Sequence, residues 1–126
     1  MKLAWLLVAN AAVSGLFGLV AAVFPGPLFD AFGGTSDVGS QFVVQLFGAA
    51  LIGEALLRLS LRDIAPGATR TALASACFVE YVIALYAAIA AQTSGVTNAG
   101  GYVLIAITGA FALGYGYVRF AGVRTA

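Results

Sequence analysis

Apolar residues run along this chain in four long blocks, and the polar residues gather into short breaks between them. The blocks cover residues 3–24, about 40–61, about 71–92 and about 102–120. None alternates polar and apolar positions, so none is patterned as a half-buried strand. Each is close to the roughly 20 residues that carry a helix across about 30 Å of hydrocarbon. Only helices and closed barrels satisfy their own backbone in lipid, so continuous runs of this length predict helices. Pro25-Gly26-Pro27 stops the first run, because proline cannot continue the hydrogen-bond ladder and restricts the residue before it. A turn at 93–101, with Ser94, Gly95, Asn98 and Gly100, separates the third run from the fourth. The expected fold is all-α: a polytopic four-transmembrane-helix bundle with short loops, one domain over residues 1–126.

Composition agrees with the pattern. The chain is 62% hydrophobic and 9% charged over its 126 residues, against about 25% charged in an ordinary soluble domain. Too little polar surface is available to cover a water-facing globule, so lipid is the expected solvent. The first run exceeds a signal-peptide core of about 7–15 residues and is expected to stay as a helix. A net charge of +1 argues against a nucleic-acid partner. One cysteine, Cys77, excludes an internal disulfide, and with no histidine the usual zinc sites are out of reach.

Charge also predicts orientation. Four crossings put Lys2, Arg58, Arg62, Arg70, Arg119 and Arg124 on one side, with Asp30 and Asp37 on the other. The positive-inside rule then places both termini in the cytoplasm. Trp5, Tyr102 and Tyr117 fall near the interfaces, where amphipathic rings are expected. The stretch with Leu28, Phe29 and Phe32 is expected to be an Ω-like connector packed on the bundle, in preference to an interfacial turn.

Polar residues inside the runs are the candidates for chemistry. Glu80 lies near mid-bilayer, where a charge is costly and must point into protein or water. It shares an i, i+4 ladder with Ala72, Ala76, Ala84 and Ala88, small residues that let another helix approach. Ser14 and Thr108 lie at similar depth, and either is a candidate to share a hydrogen bond with it. Burial favours its neutral form, and with no second ionisable group at that level the expected role is a protonated carboxyl acting as an interhelical clasp; the functional alternative is a proton or cation site. Glu54 precedes Arg58 by four residues, an order that suits an ion pair, with Arg58 expected to snorkel toward the cytoplasm. Glu54 and Glu80 differ in depth by about 9 Å at helical rise, a poor spacing for paired carboxylates. Asn10 and Tyr115 lie nearer Glu54 in depth and are candidates to complete a polar cluster there.

The second run is polar on two sides. Gln41, Gln45 and Gly48 share one face, and Glu54 and Arg58 lie nearly opposite. Lipid tails solvate neither, so protein is expected on both sides, which points to a homo-oligomer or a larger membrane complex. Small residues four apart (Ala11 with Gly15, Ser14 with Gly18, Ala49 with Gly53, Ala106 through Ala110 to Gly114) are expected to mark close helix packing. Cys77 reads as a small apolar residue.

The proline-ended first helix, Leu28-Phe29 with Phe32-Gly33, then Gln45-Leu46-Phe47-Gly48-Ala49-Ala50, the basic bend and Ser94-Gly95-Val96-Thr97-Asn98-Ala99 form a recognisable series. In these the chain resembles the small four-helix, DoxX-like bacterial membrane proteins of unknown function. The resemblance implies the fold and the inner-membrane location. The chain departs from it at Gln45, where a basic residue often stands. The function expected first is a non-catalytic membrane scaffold or accessory subunit. The alternative is a small proton- or ion-linked transporter using Glu80. An enzyme is not expected, because the common acid–base, nucleophilic and metal-binding residues are missing. No cofactor is expected, and contact with lipid, quinone or pigment stays open.

Overall fold

The computed structural model describes residues 2–121. Five helices follow one another: α1 (Leu3–Val23), α2 (Pro25–Ala31), α3 (Val38–Ser60), α4 (Ala68–Thr93) and α5 (Gly101–Phe120), with no strand among the described residues. Four of them, all but α2, are long and apolar enough to cross a membrane. Their bounds depart from the sequence expectation by no more than three residues. Arg124, expected on the basic side, lies outside the described residues.

The stretch at 25–31 corrects the sequence reading. It is a two-turn helix and not an Ω-like connector. Proline ends α1, but the same residue at the first position of α2 has its φ preset for a new helix and an N–H that needs no partner. The start of α3 is set by a capping box: Asp37 accepts from the Ser40 backbone N–H at 2.7 Å, and the Asp37 N–H donates to the Ser40 hydroxyl at 2.8 Å. The backbone bond from Ser40, and after it the hydroxyl, holds the Asp37 carboxyl below its ordinary pKa.

The loops show that successive long helices run antiparallel. The Asn98 side chain donates to the Ala31 carbonyl at 2.9 Å, and the Asn98 N–H donates to the Phe32 carbonyl at 3.0 Å. The α2–α3 and α4–α5 connections therefore meet at one end of the bundle. The α3–α4 bend and the start of α1 lie at the other, together with Lys2, Arg58, Arg62, Arg70 and Arg119.

Packing divides the bundle into two pairs, α1 with α3 and α4 with α5, joined chiefly through α1 and α5. The first pair approaches closely at Gly18 and Gly48. A Cβ on Gly48 would stand 2.7 Å from the Ala22 nitrogen and from the Gly18 carbonyl oxygen. Lower down, Gly15 faces Ala55. The small-residue spacings on α1 thus mark a helix crossing, as expected. The core lies at the basic end, where Leu3 and Leu7 of α1 meet Ala74, Cys77 and Tyr81 of α4 and Phe111, Ala112 and Tyr115 of α5. Nearer the other end a cleft lies between the two pairs, beneath the joined loops.

Candidate functional site

The cleft between the pairs has a volume of about 640 Å³, within the range of about 300–1,000 Å³ common for small-molecule sites. Ala84, Ala87, Ala88 and Ala91 of α4 form one wall, and Val44, Phe47 and Ala50 of α3 face it. Leu28 and Phe29 of α2, with Phe32 just beyond it, close the end nearest the loops. Along α4 the cleft extends from Glu80 to Ala91, about 16 Å at helical rise. The alanine ladder of α4 was expected to admit another helix. Instead it leaves space, because α5 packs on the Ala74–Cys77–Tyr81 face.

The deep end of the cleft carries an ion triad. Arg58 donates from Nη1 to Glu54 Oε2 at 3.1 Å, and from Nη2 to Glu80 Oε1 at 2.6 Å. The Glu54–Arg58 pair follows the sequence expectation; the Arg58–Glu80 pair does not. Arg58 does not snorkel out of the bundle: it is 4% exposed. Helix direction explains this. A helical side chain leans toward the N-terminus of its own helix. On α3 that direction carries Arg58 away from the basic end and into the bundle. On antiparallel α4 it carries Glu80 toward the basic end, so the two converge. The same tilt brings Glu54 and Glu80 onto one guanidinium despite the offset between their backbones. Glu80 therefore has an ionisable partner, contrary to the sequence expectation.

The two candidate hydroxyl partners of Glu80 are engaged elsewhere. Ser14 donates to the Asn10 carbonyl at 2.8 Å, and Thr108 donates to the Leu104 carbonyl at 2.7 Å. Both are back-bonds within their own helices. Asn10 and Tyr115 do meet, but their cluster is completed by Tyr81 and not by Glu54, which bonds Arg58 instead. Asn10 Nδ2 donates to the Tyr115 hydroxyl at 2.8 Å, and the Tyr81 hydroxyl donates to Asn10 Oδ1 at 2.6 Å. The Tyr81 and Tyr115 rings stack, with centroids 5.9 Å apart. Tyr81 went unremarked in the sequence, although a phenol deep in an apolar run needs a partner for its hydroxyl.

Both polar faces of α3 find partners within the chain. Gln45 donates to the Ala22 carbonyl at 3.3 Å on the α1 side, and Arg58 reaches Glu80 on the α4 side. The two-sided polarity is thus accounted for without a second copy. Glu54 and Glu80 remain partly open to the cleft, at 43% and 38% exposure. Comparison with known protein families, curated proteins and solved structures finds no match to this chain.

Proposed function

We propose that this protein is a small intramembrane carrier that takes a lipophilic small molecule into the cleft between its helix pairs. The observation that carries this reading is the cleft itself: an apolar space of ligand size, lined from all five helices and ending on a charged group. Apolar lining supplies affinity, and a few convergent polar groups fix orientation. Chemistry is not part of this reading, since Glu54 and Glu80 are engaged with a guanidinium and not with a nucleophile or general-base partner. The multi-pass setting in a bacterial inner membrane, with cytoplasmic termini, draws its support from the basic residues gathered at one end. Kinship with the DoxX-like proteins belongs to the same reading.

The test is binding of an uncharged naphthylamine fluorophore to protein purified in a neutral detergent. Ala88→Trp fills the cleft and is expected to abolish saturable binding. Leu113→Trp, on a surface 78% exposed, is expected to leave it intact. Equal binding by both variants and the unaltered chain would count against the cleft as a site.

A second reading, the accessory subunit in a homo-oligomer or larger complex, is favoured by one observation. Ala49 and Gly53 form a small-residue step on an exposed face of α3, and a Cβ on Gly53 would meet nothing within 4 Å. The mass of the intact particle in mild detergent separates the two: a lone chain with saturable binding supports the carrier.

A further inference from the structure

Five polar residues line the cleft: Ser14, Glu54, Glu80, Tyr81 and Thr108. Each of the three hydroxyls has already given its hydrogen away. Ser14 donates to the Asn10 carbonyl, Thr108 to the Leu104 carbonyl and Tyr81 to the Asn10 side chain. None of the three has a hydrogen left to offer a ligand. Ionised Glu54 and Glu80 are acceptors only. The guanidinium that bonds both carboxylates is 4% exposed and is not part of the cleft wall. A ligand entering here meets acceptors at every polar point and no free donor.

Charge points the same way. With both carboxylates ionised, one guanidinium leaves the triad a single negative charge in surplus. Glu54 Oε2 receives the Arg58 bond, and no protein donor reaches its Oε1 among the described residues. A surplus charge facing an apolar cleft inside a membrane is costly without a counter-ion.

Building on the carrier reading above, we propose that the ligand is an amphipathic organic monocation: a protonated amine on an apolar body. Its N–H groups would bond Glu54 and Glu80, and its positive charge would neutralise the triad. Such N⁺–H···O⁻ bonds are among the stronger hydrogen bonds available to a protein. The apolar body would lie along Ala84, Ala88 and Ala91 toward Phe29 and Phe32. A cleft about 16 Å long matches an extended chain of roughly a dozen carbons.

Displacement of the naphthylamine fluorophore by three probes of equal chain length tests this: dodecylammonium, dodecanol and dodecanoate. Subtracting the signal of Ala88→Trp removes partition into the micelle. Dodecylammonium is expected to displace the fluorophore at a concentration about tenfold below that of dodecanol, with dodecanoate weakest. Glu54→Gln removes the surplus charge and keeps the Arg58–Glu80 pair. It is expected to erase the ammonium advantage. Equal displacement by ammonium and alcohol in the unaltered chain would overturn the cation assignment while the cleft stands as a site. If no probe acts differently on the unaltered chain and on Ala88→Trp, the cleft holds lipid tails only and both readings fall. The three-probe comparison needs no triad variant, so it decides the matter even if Glu54→Gln misfolds.

Discussion

Asn10 has no exposed surface and holds three helices at one point. Its amide accepts from Tyr81 on α4 and donates to Tyr115 on α5. In a membrane the hydrophobic effect does not drive helices together, so such a clasp and close packing carry the association. Interhelical bonds of this kind average about 0.6 kcal/mol and reach about 1.7 kcal/mol. Asn10→Ala removes two of them and leaves two phenols to find new partners. The expected loss is about 1–3 kcal/mol, read as a shift of the unfolding curve in a denaturing-detergent titration followed by circular dichroism. A curve that did not move would mean that the hydroxyls re-pair and that packing alone sustains the junction. Depth along the helix put Asn10 and Tyr115 at one level in the sequence, but it assigned them to Glu54 and not to Tyr81. It was not enough to find Arg58 with Glu80, because their backbones are offset and only the opposing tilt of their side chains closes the gap.

Helix α3 shows how one element can serve two neighbours. Its Gly48 face meets α1 with no room for a methyl group, and its Glu54–Arg58 face looks across to α4. Gly48→Ala would press a carbon against backbone on both α1 contacts, which flexible side chains cannot relieve. A loss of about 1–3 kcal/mol is expected from such overpacking. Gly53→Ala, five residues along the same helix, enters open space and gains helix propensity of up to about 1 kcal/mol. Parallel unfolding titrations of the two variants check this, and equal shifts would rule out the α1–α3 crossing as described. The small-residue pattern announced close packing on α1 correctly. On α4 the same pattern lines the cleft, since spacing alone does not say whether a neighbour arrives. Helix α2 was missed for a related reason: Pro25 reads as a stop when followed from α1 and as a start when followed into α2.

The bundle as a whole is a back-and-forth crossing whose loops join at one end through Asn98. The α3–α4 bend, with its exposed Arg62–Asp63 pair at 3.1 Å, lies at the other. In a Cys77→Ala background, single cysteines at Asp63→Cys and Asn98→Cys are expected to react with an impermeant thiol reagent from opposite sides of a sealed membrane. Reaction of both from one side would dismantle the topology. Span number, helix type and the clustering of basic residues at one end were all settled by the sequence. They depend on sums over some 20 consecutive residues and on the backbone's need to satisfy itself in lipid. The Arg58 bridge, the cleft and the wall of acceptors around it were decided only by the tertiary structure. They depend on which helix faces meet and which way antiparallel side chains lean, and no local sum along the chain contains that information.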